Sequence, residues 1–289
     1  MCLILGGKGK GFTNVGGTEN AFHAIAWCSR GASALTSRHK TTKMKILVCI
    51  SQAPDTTSRI AFKDGNTAFD ESGVQFIVNP YDEWYALVRA MELKESGGGS
   101  VTTLTVGGAS CDPVIRKALA IGADDAIRID AEPVDSMQVA RLIAAHAEGK
   151  GYDLVMFGKE TIDHNGSVVP GMVAELLDLP FVALATSLEI EGCLSKLKRE
   201  VAGGDESVES SLPMVVSAAK GMAEQRIPNM RGIMSARSKP LVVESPAEAA
   251  LGTKVRVFAL PPAKGDCKMI PAESAEELIR LLREEAKVI

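Results

Sequence analysis

Aromatic residues make up only 4% of this 289-residue chain, and its six cysteines stand scattered, with no CxxC pair among them. That spacing argues against a disulfide framework or a zinc site and fits a reducing compartment. No apolar run approaches the roughly 20 residues that a bilayer span requires, so direct membrane insertion is not expected. A formal net charge of -4 leaves no electrostatic footprint for nucleic acid either. The patterns GxGxxG, GxxxxGK[ST] and GxSxG are all missing. His23, His39, His146 and His164 have no partners at metal or triad spacing, so no catalytic residues are expected and the chain does not read as an enzyme. What remains is 46% hydrophobic and 24% charged, the profile of a globular chain of one or two domains. A chain of this length buries roughly three quarters of its unfolded surface and needs no staple to fold.

Residues 1–43 differ from everything after them, being rich in Gly, Ser and Thr and basic, with Glu19 the only acid. They read as an unstructured leader, either an extension upstream of Met44 or an organelle transit segment. Met44 opens MKILVCI, a strand start, followed by the loop SQAPDTTSR and a hairpin turning at Asp64, Gly65 and Asn66. Asn79 and Pro80 open a helix that ends at Gly97 to Gly99, with SGGGS as a linker. Further strands are expected at 101–106, 126–129 and 153–157. Between them fall helices at 112–123, with Asp112 as N-cap, and at 137–147. Strand and helix alternate, which implies right-handed crossovers and an α/β fold with a doubly wound parallel sheet, Rossmann-like. After Pro180 an antiparallel addition is expected, with VAGGDESVES as a loop. From residue 239 a proline-rich C-terminal arm leads to a closing helix over 273–287. The organisation is thus 1–43 leader, 44–238 α/β domain and 239–289 arm, which lies on a partner.

The stretch from Tyr152 to Leu177 is the one suited to holding an anion. A buried strand exits at Gly158 into a polar loop, and apolar residues at Val168, Val169, Met172, Val173, Leu176 and Leu177 then mark a helix. With Asn165 or Ser167 as N-cap, the helix start faces the loop with unpaired N–H groups, and Lys159 supplies positive charge. An ordinary capped connection has the same pattern. In a doubly wound sheet this loop shares a rim with those at 49–55, 79–83 and 107–108.

Four blocks resemble the beta (small) subunit of the electron-transfer flavoproteins: MKILVCISQAPD, NPYDEWYALVRAMELKE, GKETID and the long stretch from Lys198 to Leu241. In the last of these Arg199, Glu200, Gly203, Gly204, Glu206, Leu212, Pro213, Arg226, Ile233, Met234 and Ala236 match the family pattern. The resemblance implies a heterodimer with an alpha subunit that holds most of a shared FAD, with structural AMP in this chain. In bifurcating members a second FAD takes the place of AMP. By position, cofactor contacts fall to Cys49, Asn79, Pro80, Tyr81, Asp82 and Gly107. The loop supplies Gly158, Lys159, Glu160, Thr161, Ile162, Asp163, His164, Asn165, Gly166, Ser167, Val168 and Val169. Tyr81 falls near the flavin ring, Thr56 replaces a tyrosine of some members, and His164 and Asn165 stand where carboxylates are usual. Gly203, Gly204, Asp205 and Glu206 fall on the partner-recognition loop, where Asp205 replaces the common leucine; Gly-Gly-Asp is also plain turn chemistry. The implied role is electron transport from dehydrogenase donors, as in fatty acid beta-oxidation, to a membrane quinone reductase. The setting is the bacterial cytoplasm, or the mitochondrial matrix if the leader is a transit segment. The alternative is a stand-alone adenine-nucleotide-binding module of the stress-protein kind, without flavin.

Overall fold

The computed structural model describes residues 43–263, 265 and 267–289. Apart from Lys43, the expected leader lies outside the described residues. The chain opens with β1 (Met44–Cys49), β2 (Gln52–Pro54), β3 (Phe62–Lys63), β4 (Ala68–Phe69) and β5 (Phe76–Val78). Then come α1 (Asp82–Gly97), β6 (Gly99–Val106), α2 (Asp112–Ile121), β7 (Asp125–Ile129), α3 (Ser136–Ala147), β8 (Leu154–Gly158) and α4 (Val169–Leu177). The last third adds β9 (Phe181–Glu191), β10 (Leu194–Val201), β11 (Gly204–Ser211), β12 (Met214–Ala218), α5 (Met230–Ala236), β13 (Leu241–Glu244) and α6 (Ala275–Glu284).

A nine-stranded sheet runs in the order β11-β10-β9-β12-β8-β1-β6-β7-β13. It is parallel from β9 across to β13, and β10 and β11 are the antiparallel addition. The strand pleat explains the two cores. Along β1, Ile46 and Val48 point into a cluster with Leu87 of α1 and Ile115 and Leu119 of α2. Leu47 and Cys49 point the other way, to Leu142 and Ile143 of α3 and Val173 of α4. Helices therefore cover both faces, as the near-continuous apolar strands imply.

Several local expectations are corrected. VAGGDESVES is not a loop: β10 turns at Ala202 and Gly203 and returns as β11, in register from Val201 against Gly204 to Leu194 against Ser211. β11 is an edge strand with mostly polar, exposed residues, so it carried no apolar alternation to announce it. SGGGS is not wholly a linker, since Gly99 and Ser100 pair with Met44 and Lys45. The helix expected from Asn79 and Pro80 begins at Asp82, with Tyr81 at its N-cap in the left-handed region, φ 66°. Asp112 is the first residue of α2 rather than its cap; a short 3-10 turn at Ala109–Cys111 leads in, and the carboxylate turns to Arg128 instead. The sheet also extends past residue 238, because β13 pairs in parallel with β7.

Candidate functional site

From β1 the chain winds outward through β6 and β7, then crosses back to place β8 on the other side of β1. Ligand clefts of open α/β sheets lie at such a reversal, beyond the carboxyl ends of the strands. At this rim the loops after β1, β5 and β8 are tied to one another. Asn79 is fully buried; its Nδ2 donates to the Glu160 carbonyl at 3.0 Å, and its Oδ1 accepts from Ile162 N–H at 2.9 Å. A side-chain amide thus replaces a missing strand neighbour and fixes the Gly158–Val168 loop. Asn79 N–H also donates to the Ser51 carbonyl at 3.2 Å.

Gly158 explains itself by contact. A Cβ there would lie 2.7 Å from Glu83 N and 3.0 Å from the Asp82 carbonyl carbon, so α1 seats its first turn directly on the end of β8. Gly107 is confined by a side chain instead, since a Cβ there would run into Cys111 Sγ. Its N–H donates to the Ile129 carbonyl, and its own carbonyl accepts from Nη1 of the buried Arg128 at 3.1 Å. Arg128 Nε lies 3.0 Å from Asp112, and Nη1 also meets Asp130.

The loop after Gly158 is bent by positive φ at Asn165 (48°) and Ser167 (52°). Neither residue is the N-cap of α4. Val168 is, and it makes no side-chain capping bond. The first-turn N–H groups of α4 thus have no capping side chain, an arrangement open to an anion. Lys159 is held charged chiefly by the Glu160 carboxylate, 3.2 Å away, and then by Asp82. Its amide donates to Ala218, anchoring the loop to β12. Glu160 is pushed down chiefly by Lys159 and takes a further hydrogen bond from Ser167 Oγ. Asp163 accepts from His164 N–H at 2.8 Å, and the His164 side chain is 81% exposed. Thr161 accepts at its carbonyl from Asn165 N–H. Gly166 and Val168 are exposed; Pro80, Ile162 and Val169 are half-buried. Tyr81 is 56% exposed. The Cys49 thiol is buried, and burial, then Glu83, pushes it far up.

Gly203, Gly204, Asp205 and Glu206 do not join this cleft. They sit on the β10–β11 hairpin, separated from β8 by β9 and β12. Ser51 and Glu83 fall within the expected rim loops but had no role assigned to them, and Arg128 was not among the expected site residues. An acid in a first helical turn looks ordinary in sequence, and only the tertiary structure reveals that Glu83 is buried against Ser51.

Residues 66–249 match the family model "Electron transfer flavoprotein domain". A beta subunit from Bacillus subtilis (strain 168), named electron transfer flavoprotein subunit beta, is 37% identical over 262 residues, covering 85% of this chain and 100% of its own. The same-named protein of Syntrophomonas wolfei is 38% identical over 223 residues, covering 76% and 87% of the two chains. That of Homo sapiens is 31% identical over 254 residues, covering 85% and 99%.

Proposed function

Because the chain belongs to the beta-subunit family of the electron transfer flavoproteins, we propose that it binds an adenine nucleotide in the strand-end cleft and completes a flavin site with an alpha subunit. The observation that carries this is the start of α4, which no side chain caps, at the end of a loop that carries Lys159 and is pinned by Asn79 and Gly158. That donor set fits a phosphate: charge-assisted hydrogen bonds of this kind contribute roughly 1.5–3 kcal/mol each. The bound group is AMP, with a second FAD as the bifurcating variant. Cys49, Asn79 to Asp82, Gly107 and Gly158 to Val169 form its surroundings, with Asn79 and Gly158 shaping the cleft. The shared FAD, held mostly by the alpha subunit, supplies the redox chemistry, and exposed Tyr81 is the side chain offered to it. Electrons enter from dehydrogenase donors and leave to a membrane quinone reductase; among the described residues no helix is long and apolar enough to cross a membrane.

The arm favours a subunit role over a stand-alone module. α6 shows Leu278 and Ile279 to solvent, and the preceding stretch exposes Leu251, Val255, Val257 and Leu260. An apolar series along an extended segment is a surface made to be covered. Co-expressing the chain with an electron transfer flavoprotein alpha subunit from the same genome, recording the visible spectrum and chromatographing the nucleotide released by denaturation tests the proposal. A flavin spectrum with stoichiometric AMP is expected. A beta chain that stays unpartnered and colourless with that subunit returns the assignment to a stand-alone module.

A further inference from the structure

α1 opens on a carboxyl group whose placement is unlike an ordinary helix start. Glu83 is buried, and its two oxygens take hydrogen bonds from Ser51 N–H and Ser51 Oγ, each at 2.7 Å. The backbone nitrogen of the same residue is the atom that confines Gly158. One residue thus holds the loop after β1 by its side chain and the end of β8 by contact. The ionisable groups acting on it are Cys49 from β1, Asp82 from its own helix and Asp163 from the loop after β8. Lys159, the nearby cation, is already shared between Glu160 and Asp82. An anion entering this cleft meets a surplus of carboxylates unless one of them carries a proton. The Ser51 hydroxyl suits either state, since it can donate to a carboxylate or accept from a carboxyl O–H.

We propose, resting on the nucleotide assignment above, that Glu83 is the positioning residue of the cleft and that its carboxyl group takes up a proton when the nucleotide phosphate binds. Burial above all pushes Glu83 up to about 8, and burial likewise pushes Asp82 to about 6. Above neutral pH, then, Asp82 is already ionised and Glu83 is the group that changes. Either protonation state keeps the Ser51 contacts, but only the neutral one lowers the repulsion felt by phosphate.

The test uses the full chain in complex with its alpha subunit, stripped of nucleotide and titrated with AMP by calorimetry in two buffers of different ionisation enthalpy. Wild type is expected to lose affinity by up to about tenfold per pH unit above about pH 8, with net proton uptake on binding. Glu83→Gln retains an acceptor for Ser51 N–H and cannot titrate, so its affinity should stay flat with pH. Glu83→Ala should bind weakly throughout, and its contrast with Glu83→Gln separates positioning from charge. A Glu83→Gln pH profile the same as that of wild type, or no proton uptake by wild type above about pH 8, overturns the proton coupling. Amide exchange at Ser51 needs no ligand: Glu83→Ala should lose protection and Glu83→Gln keep it, and equal protection in all three overturns the positioning role. If AMP fails to bind wild type at any pH while Ser51 protection still depends on Glu83, the nucleotide assignment falls and the positioning role stands.

Discussion

A hydrogen atom on Gly158 is the reason that β8 and α1 can meet. Gly158→Ala places a methyl 2.7 Å from backbone nitrogen, which cannot swing aside as a flexible side chain would. The expected cost is about 1–3 kcal/mol, read as a lower melting temperature together with reduced AMP retention. Unchanged melting would mean that α1 can slide without penalty. Glu83 makes a second residue-scale expectation, with its sign fixed by linkage. Its folded value, raised to about 8, exceeds the ordinary 4.5, so the folded state binds more protons between those values. Stability should therefore fall as pH rises through that window, by at most about 1.4 kcal/mol per pH unit. Asp82 adds the same sign below about 6. Chemical denaturation of wild type and Glu83→Gln across pH checks this; parallel curves would assign the dependence to other groups.

At the scale of elements, the β10–β11 hairpin is the candidate for partner recognition. Arg199 and Glu206 pair across it, while Glu200 stands directly opposite Asp205 with both exposed. Like charges placed so are unfavourable, and a partner bringing positive charge would relieve them. Burying unpaired Asp205 in an apolar pocket costs several kcal/mol, whereas leucine there gains about 1.5–3. The native donor should thus present a basic or hydrogen-bonding pocket, and its association should weaken with salt. Asp205→Leu is expected to slow electron transfer from that donor and to gain weak coupling to a generic acyl-CoA dehydrogenase. Equal rates for wild type and variant with both donors would remove the hairpin from recognition.

For the whole molecule, the arm divides into a part that completes the sheet and a part that does not. β13 pairs with β7, and His146 Nδ1 meets Glu244 at 2.7 Å, with Lys150 3.2 Å from the same carboxylate. Lys239 Nζ donates to the Leu119 carbonyl at 2.9 Å, and Arg116 donates to the Ala236 and Lys239 carbonyls. Ending the chain after Ser238 should lower the melting temperature by roughly 5–10 °C, the size expected for a few kcal/mol. Ending it after Ile270, which removes exposed α6, should leave melting unchanged and weaken assembly with the alpha subunit. Thermal melts and size-exclusion chromatography distinguish the two; equal melting of both truncations would show β13 to be dispensable.

Periodicity and punctuation in the sequence were enough for the alternating strands and helices, the parallel sheet and the rim of loops, because short apolar runs such as ILVC and LVMF, bounded by turn residues, suit strands covered on both faces. The Asp64-Gly65-Asn66 turn was legible for a similar reason, since all three residues adopt the positive φ that Gly, Asn and Asp tolerate best. β11 was not legible, because an edge strand needs no buried face and leaves no alternation. Caps were not either: Asn165 and Ser167 have capping side chains, yet the loop bends them into the left-handed region and hands the N-cap to Val168. What each buried carboxylate faces was decided only in three dimensions. Asp82 and Glu83 read alike as first-turn acids, and it is the docking of α1 on Gly158 that takes Glu83 out of water and aims it at Ser51. Desolvation depends on neighbours distant in the chain, and no local pattern encodes it.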